Sequence, residues 1–209
     1  MTASLAAASV YVVDDDEEVR ESVAWLLGSI GLQTTCFESA TAFLEHYDGE
    51  HAACVILDVR MPLMSGTRLQ EELVAFAPHV AIVFVSAHGD IKMSVLTIQR
   101  GAVDFLEKPY DPQQLLDVVQ GAIVAAQERF AEHQRRRDVQ AKVDSLTPRE
   151  REILRMVVEG IPSQNISRRL EMSVKTVDVH RARIKAKTDA DSINTLVRDI
   201  LRYGAIVRE

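Results

Sequence analysis

Short apolar runs alternate along the first 126 residues with segments in which apolar residues recur every three or four positions. A run of about five apolar residues is typical of a strand buried on both faces, and the longer spacing is typical of a helix. Five such repeats predict an α/β fold, a (βα)5 doubly wound parallel sheet over residues 8–126. The predicted strands are Val10–Val13, Gln33–Phe37, Cys54–Leu57, Ala81–Val85 and Val103–Leu106, and the predicted helices are Glu17–Ser29, Ala40–Tyr47, Thr67–Phe76, Lys92–Arg100 and a segment from Gln113 onward.

The last of these helices has a clear N-terminal capping signal, but no residue that would end it follows for many positions. Asp111-Pro112-Gln113-Gln114 supplies a capping residue followed by proline at the first helical position. Neither Gly nor Pro occurs from residue 122 to residue 146, so we expect residues 127–144 to form a charged helical linker. One apolar stripe on this helix leaves two interpretations open, pairing of two chains or packing on the chain's own sheet. The stripe consists of Val119, Ile123, Ala126 and Phe130.

Residues 145–209 have helical periodicity throughout and predict an all-α domain of four helices. Thr147-Pro148-Arg149-Glu150 is a capping box with proline at the first helical position, and Gly160-Ile161-Pro162 ends that first helix. A short helix, a tight turn and a longer basic helix follow, which is the helix-turn-helix pattern. These elements are Ser163–Leu170, Glu171-Met172 and Val174–Lys187, and the last helix is Ile193–Leu201.

Charge divides the chain in the same way. Residues 1–144 carry 11 Lys and Arg against 22 Asp and Glu, a net charge of −11, whereas residues 145–209 carry 13 against 9, a net charge of +4. This division suggests that only the second domain meets a polyanion. The two cysteines, Cys36 and Cys54, have no metal-ligand spacing. Met1–Ser9 is a poor signal peptide and no run approaches a membrane span, so we expect a cytoplasmic protein.

Polar residues follow the predicted strands of the first domain at one edge of the sheet. Asp14, Asp15 and Asp16 follow the first strand, Asp58 the third, Ser86 the fourth and Lys108 the fifth. Open α/β sheets place their chemistry at this edge. Clustered carboxylates require a cation, and oxygen ligands suit Mg²⁺. Together with one lysine and one hydroxyl, the set can handle a phosphoryl group.

With these residues the chain resembles a two-component response regulator of the FixJ/NarL family, whose N-terminal half is a CheY-like receiver. The resemblance rests on five short motifs that occur in the family's order and spacing. They are Val13-Asp14-Asp15, Leu57-Asp58-Val59-Arg60-Met61-Pro62-Leu63-Met64-Ser65-Gly66, Val85-Ser86-Ala87-His88-Gly89, Gly101-Ala102-Val103-Asp104-Phe105 and Leu106-Glu107-Lys108-Pro109. Leu63 stands where related sequences often have an acidic residue, and Ser86 replaces threonine.

The resemblance implies that Asp58 is the nucleophile that takes a phosphoryl group from a phosphohistidine of a sensor histidine kinase. It implies Mg²⁺ ligands at Asp15, Asp58 and the Arg60 backbone carbonyl, with Asp14 acting through water. Lys108 and Ser86 are then expected to contact phosphoryl oxygens. Phe105 occupies the family's aromatic switch position, whose rotation remodels the neighbouring surface.

Residues 146–209 resemble the LuxR-type DNA-binding module of the same family, in Leu146-Thr147-Pro148-Arg149-Glu150-Arg151-Glu152-Ile153-Leu154 and in Lys175-Thr176-Val177-Asp178-Val179-His180-Arg181. At 100° per residue, Val174, Val177 and Ile184 face the core of this module. The opposite face is expected to meet double-stranded promoter DNA. It contains Lys175, Thr176, Asp178, Val179, Ala182, Arg183, Ala186 and Lys187.

Individual roles on this face differ. We expect Arg183 to read guanine, whereas Thr176, Lys187 and Arg168 or Arg169 contact phosphates. Asp178 either accepts a hydrogen bond from cytosine N4 or holds a neighbouring arginine, Arg181 or Arg183. His180 is interpreted as a packing residue at the margin of the core.

A net charge of +4 predicts weak binding by one module and therefore a homodimer on paired half-sites. The family's dimer surface is the last helix, with Leu196, Val197, Ile200 and Leu201, although at least half of these residues are expected to close the module's own core. RNA polymerase is a further candidate partner.

The favoured interpretation is a phosphorylation-switched transcription regulator, and two rivals remain. In the first, the receiver is a dimerisation scaffold that works without phosphorylation. In the second, the protein is an aspartate-nucleophile phosphatase, which requires a second acid two residues after the nucleophile. Arg60 stands at that position instead of an acid. Asp14 and Asp16 have the required spacing, but Glu18 then stands where a small or β-branched residue is expected.

Overall fold

The computed structural model describes residues 8–87 and 91–207, and the chain divides into two units at residues 131 and 132. The first unit contains a five-stranded sheet with α-helices between the strands. Its elements are β1 (Ser9–Val13), α1 (Glu17–Gly28), β2 (Thr34–Phe37), α2 (Ala40–His46), β3 (Ala53–Leu57), α3 (Gly66–Phe76), β4 (Ala81–Ser86), α4 (Ile91–Gln99), β5 (Asp104–Glu107) and the first part of α5 (Pro112–Asp144). The predicted (βα)5 doubly wound sheet is confirmed, with no boundary shifted by more than one residue.

All strands are parallel, in the order β2-β1-β3-β4-β5. Because the chain runs from β1 to one side and from β3 to the other, the C-terminal ends of β1 and β3 flank the point where the winding reverses. Leu69 and Leu73 of α3 pack with Phe43 of α2 on one face of the sheet. Helices α1 and α5 cover the other face, so both sides of the strands are buried.

The apolar stripe of α5 lies on the chain's own sheet. Val119 and Ala126 are completely buried, and Ile123 and Phe130 pack against the same core cluster. Of the two interpretations, packing within the chain is therefore confirmed. The helix begins as predicted, because the Asp111 carboxylate accepts a hydrogen bond from the Gln113 backbone N–H at 2.7 Å.

The second unit consists of the end of α5 followed by α6 (Pro148–Val158), α7 (Ser163–Arg169), α8 (Val174–Thr188) and α9 (Ile193–Tyr203). Val139 and Val143 of α5 are buried in its core, and the Gln140 side-chain amide makes two hydrogen bonds with the backbone of Ile206. Residues 132–144, predicted as linker, therefore pack as part of this unit. The capping box of Thr147 and Glu150 forms as the sequence predicts.

The structure also bears on the N-terminal segment, the two cysteines and the expectation that no helix spans a membrane. Residues 1–7 of the segment interpreted as a poor signal peptide, and His88 and Gly89 of the Val85-Ser86-Ala87-His88-Gly89 motif, lie outside the described residues. Cys36 is exposed, Cys54 is buried, and both are free thiols. No described helix combines the length and the apolar character that a membrane crossing requires.

Candidate functional site

Three of the predicted side chains meet at the C-terminal edge of the sheet. The Lys108 ammonium donates to Asp14 Oδ2 at 2.6 Å and to Asp58 Oδ1 at 3.4 Å. Both carboxylates are buried, and only 19% of the Lys108 side chain is exposed. One ammonium therefore bridges two carboxylates that follow neighbouring strands, although 50 and 94 residues separate it from them in the sequence.

Backbone hydrogen bonds fix both carboxylates. The Asp58 N–H continues the ladder to the Val13 carbonyl at 2.9 Å, so Asp58 leaves its strand in register with β1. The Arg60 N–H donates to Asp58 Oδ2 at 2.6 Å, and the Asp16 N–H donates to Asp14 Oδ1 at 3.0 Å. Each acid is thus oriented by its own loop, which leaves its other oxygen directed at Lys108.

Burial and the contacts among Asp14, Asp58 and Lys108 act in opposite directions on the pKa values in this pocket. Burial raises the pKa of Asp58, and this effect outweighs the opposing effects of Lys108 and the Arg60 N–H. For Lys108, burial alone would lower the pKa, but the hydrogen bond and charge of Asp14, aided by Asp58, raise it. The Asp58 carboxylate can therefore attack an electrophile such as a phosphoryl group. The protonated Lys108 ammonium beside it can then bind the oxygens of that group.

Ser86 and Phe105 lie on β4 and β5, the two strands that follow β3 in the order of the sheet. Ser86 is the buried last residue of β4, and its carbonyl accepts a hydrogen bond from the Lys108 N–H at 3.0 Å. Phe105 of β5 is partly buried and its ring stacks on that of Phe84, with the centroids 6.1 Å apart. Ser86 therefore lies within β4 instead of after it, and Phe105 lies in β5, three residues before Lys108.

The proposed metal ligands are distributed less tightly. Asp14 and Asp58 are brought together by Lys108, whereas Asp15 is exposed. Within residues 8–87 and 91–207, no group of three or more His, Cys, Asp or Glu side chains is arranged to hold a metal ion. The donor set still suits Mg²⁺, since this ion is usually bound by one or two carboxylates and keeps several waters.

Gly66 contributes to the pocket in a way that the sequence analysis did not identify. A Cβ atom at this position would lie 2.0 Å from the backbone oxygen of Asp58 and 3.0 Å from its carbonyl carbon. The first residue of α3 therefore touches the backbone of Asp58, and only glycine leaves room for this approach. The one available signal was the glycine at the end of the Asp58 motif.

The predicted DNA-facing surface of α8 is exposed. All of its named residues face solvent, namely Lys175, Thr176, Asp178, Val179, Ala182, Arg183, Ala186 and Lys187, and so do Arg168 and Arg169 of α7. Val177 and Ile184 are buried as expected, but Val174 is wrong as a core residue because 39% of its surface is exposed. Val174 is the first residue of α8, and the helix packs on the core only from its second turn.

Asp178 is engaged within the unit. Its Oδ1 accepts a hydrogen bond from the Ser163 hydroxyl at 3.2 Å, and the Arg181 guanidinium donates to the same hydroxyl at 2.8 Å. Ser163 is the first residue of α7, so this relay connects the two helices of the helix-turn-helix. Of the roles considered for Asp178, holding Arg181 has a structural basis through Ser163, which the sequence analysis did not identify as a partner.

Lys187 also has a partner inside the unit. Its ammonium donates to Glu150 Oε2 at 2.8 Å, and Glu150 is buried in the capping box of α6. Burial alone would raise the pKa of Glu150, but hydrogen bonds from Lys187 and Thr147 outweigh it and lower the pKa to about 2. The structure places the Lys187 ammonium in an ion pair that holds α8 against α6, and its predicted contact with a DNA phosphate stays a prediction.

This ion pair predicts a pH dependence of stability. Because the folded-state pKa of Glu150 lies below its ordinary value of 4.5, the pair stabilises the second unit above that value. The stabilisation falls as the pH drops from about 4.5 towards 2, by an amount on the order of 2 kcal/mol after solvent screening at the half-exposed Lys187. Denaturant unfolding followed by amide NMR signals of residues 145–207 measures it.

Glu150→Gln is the matched variant for this measurement, because glutamine preserves the capping box and removes the charge. Its second unit should unfold with a flatter pH dependence in the same range. An identical slope in both proteins would show that the ion pair does not contribute.

The proposed dimer surface of α9 is divided between core and solvent. Leu196 and Ile200 are buried, Val197 is half-buried, and 65% of Leu201 is exposed. The expectation that at least half of these residues close the module's own core is confirmed. His180 is half-buried at the margin of the core, as predicted.

Comparisons with known proteins agree with both halves of this description. The family model of the response regulator receiver domain matches residues 10–120, and that of the bacterial regulatory proteins of the luxR family matches residues 144–199. The chain is similar to the transcriptional regulatory protein FixJ of Bradyrhizobium diazoefficiens, with 36% identity over 94% of this chain and 96% of that protein. It is 40% identical to the transcriptional regulatory protein TdiR of Thauera aromatica, over 94% of this chain and 86% of that one.

Solved structures show the same likeness. The response regulator StyR matches with a TM-score of 0.76 and 39% identity, over 95% of this chain and 100% of that one. Full-length FixJ from B. japonicum matches with a TM-score of 0.56 and 36% identity, over 94% and 97% of the two chains.

Proposed function

Because the chain belongs to the transcriptional response regulators that join a receiver domain to a LuxR-type DNA-binding domain, we propose that Asp58 is its phosphoacceptor and the switch for DNA binding. The phosphoryl donor is a phosphohistidine of a sensor histidine kinase. The observation that carries the proposal is the Lys108 ammonium held between the buried carboxylates of Asp14 and Asp58. We place the protein in the cytoplasm, where such a kinase and the promoter are both within reach.

The transfer is a displacement at phosphorus. A carboxylate oxygen of Asp58 forms the new O–P bond while the P–N bond to the donor imidazole breaks, and the electron pair of that bond remains on the nitrogen. Lys108 then exchanges its 3.4 Å contact with the free carboxylate for a contact with a phosphoryl oxygen. The Arg60 N–H holds the second oxygen of Asp58 throughout, so the nucleophile does not rotate away. Later hydrolysis of the aspartyl phosphate resets the protein, which catalyses no other reaction.

Mg²⁺ is the cofactor that these oxygen donors suit; Asp58, Asp15 and the Arg60 backbone carbonyl would hold it, and Asp14 would act through water. When bound, it neutralises charge on the transferring phosphoryl oxygens. The Lys108 ammonium offsets the repulsion between the two buried carboxylates of Asp14 and Asp58.

The switch proceeds from Ser86 and Lys108 to Phe105. A phosphoryl group adds about two negative charges and three acceptor oxygens beside these residues. The Ser86 hydroxyl and the Lys108 ammonium move towards it, and the ring of Phe105 rotates from its stacked position on Phe84 into the space they leave. The surface of β5 changes accordingly, which shifts a two-state equilibrium towards the dimer.

The DNA-binding half binds promoter DNA through the exposed face of α8. Arg183 and Val179 lie on this face among basic residues, where a guanidinium suits guanine and an apolar group suits the thymine methyl. Asp178 either accepts from cytosine N4 or positions Arg181 through Ser163. Two modules bind paired half-sites as a homodimer, and RNA polymerase is a further candidate partner.

DNA affinity with and without phosphorylation tests the switch. DNA fragments are first selected from the genome by the chain treated with acetyl phosphate and Mg²⁺. We expect the phosphorylated chain to bind them about 10- to 100-fold more tightly than the untreated chain, the range typical of such coupling. Fluorescence anisotropy at fixed salt measures the affinities. Equal affinities despite complete phosphorylation would instead favour a receiver that serves as a dimerisation scaffold.

A further inference from the structure

Leu63 occupies a strained and fully solvent-facing position five residues after Asp58. Its side chain is 98% exposed, and its φ of +66° lies in the left-handed region. The Met64 N–H donates to the Pro62 carbonyl at 2.7 Å, which closes a three-residue turn around Leu63. A branched residue is disfavoured in this conformation, where glycine or asparagine is the usual choice.

The loop on both sides of Leu63 is held firmly. Met61 is buried, Met64 packs against the core, and the Gly66 N–H donates to the Val59 carbonyl at 2.9 Å. The turn therefore projects Leu63 into solvent on a rigid base. Neither the core nor the turn needs leucine at this position, so the strain and the exposure are unexplained by folding.

Ile91 is a second exposed apolar side chain at the same edge. It is the first residue of α4, it is 83% exposed, and its helix follows β4, the neighbour of β3 in the sheet. Among the residues that the structure describes, Leu63 and Ile91 are the two most exposed large hydrophobic side chains. Both follow the C-terminal ends of strands next to Asp58, which is the edge that a phosphoryl donor must approach.

We propose that Leu63, assisted by Ile91, is the apolar contact that recognises the protein phosphodonor, a sensor histidine kinase with an apolar surface beside its phosphohistidine. Asp58 is buried, so a phosphoryl group carried on a protein reaches it only when the donor covers this edge. A rigid leucine then becomes buried in the complex. A second copy of the chain at this place would instead block Asp58. The inference rests on the phosphoacceptor function proposed for Asp58.

Phosphotransfer from two kinds of donor separates docking from chemistry. Purified, autophosphorylated sensor histidine kinases of the source genome are first compared, and the one that labels the wild-type chain fastest is retained. Leu63→Asn tolerates the left-handed turn and removes the apolar side chain. We expect it to slow transfer from this kinase about tenfold or more, as loss of an anchor residue does. Its labelling by acetyl phosphate should stay within about twofold of wild type.

Three further variants complete the experiment. Leu63→Met keeps an apolar side chain and should transfer at nearly the wild-type rate, whereas Ile91→Ala should show a smaller loss than Leu63→Asn. Val74→Ala removes a comparably sized apolar group that is exposed on α3, and it should change neither rate. Urea denaturation of Leu63→Asn should give a midpoint equal to or above that of wild type, because the substitution relieves strain.

Several outcomes would overturn the inference. The first is transfer from the kinase to Leu63→Asn at the wild-type rate, and the second is an equal fall in labelling by both donors. A third is a loss of self-association in Leu63→Asn with unchanged kinase transfer, which would assign Leu63 to a second copy. Absence of kinase labelling while acetyl phosphate still labels Asp58 also contradicts it. The phosphoacceptor assignment of Asp58, by contrast, fails in this experiment when neither donor labels the wild-type chain at Asp58.

Discussion

Asp58→Asn is expected to abolish labelling by acetyl phosphate and Mg²⁺, whereas the wild-type chain gains one phosphoryl group. The amide retains the shape of the carboxylate and can still accept the hydrogen bond from the Arg60 N–H. It lacks the negative oxygen that forms the O–P bond, so the rate should fall by on the order of 10³-fold or more. Intact-mass spectrometry measures the added group, and fragmentation locates it.

Asp16→Asn is the matched control for this experiment. Asp16 lies two residues from Asp14, and its carboxylate caps α1 by accepting from the Glu18 and Val19 N–H groups. Asparagine caps a helix equally well, so the control removes one negative charge near the pocket and little else. It should be labelled at the wild-type rate. Labelling of Asp58→Asn equal to that of this control would remove the basis for the phosphoacceptor assignment.

Gly66→Ala adds a single carbon atom beside the pocket, and we expect it to lower the free energy of unfolding of the receiver substantially. The new Cβ would stand 2.0 Å from the Asp58 backbone oxygen, and backbone cannot move aside as a flexible side chain can. Helix α3 or the loop after β3 must shift, at a cost of about 3 kcal/mol in the free energy of unfolding of the receiver. Urea denaturation followed through the amide signals of residues 8–131 provides the measurement.

The same shift should displace Asp58 from Lys108, so labelling by acetyl phosphate is expected to fall even where the variant remains folded. Gly121→Ala is the control, because Gly121 lies within α5 and a Cβ there meets nothing within 4 Å. It should leave labelling unchanged and stabilise the helix slightly, by about 0.5 to 1 kcal/mol. If Gly66→Ala and Gly121→Ala unfold at the same urea concentration, the close approach of Gly66 to the Asp58 backbone does not contribute to the stability of the receiver.

Features that depend on neighbours in the sequence were predictable from the sequence alone. The strands and helices, the caps at Asp111 and Thr147, and the turn before α8 all follow from local periodicity and local hydrogen bonds. The edge that carries Asp58, Ser86 and Lys108 was also predictable, because parallel strands present their C-terminal ends on one side. The roles of these residues came from the family resemblance rather than from their spacing.

Only the tertiary structure decided which partner each of these groups meets. A stripe of apolar residues on α5 fits a second chain as well as its own sheet, and only the packing of Val119 and Ala126 distinguishes the two. Lys187 has the spacing of a DNA contact, yet a buried carboxylate 37 residues away binds it. The reason is physical: periodicity fixes the direction of a side chain relative to its own helix or strand. The residue that this side chain contacts on another element depends on how the helices and strands pack together.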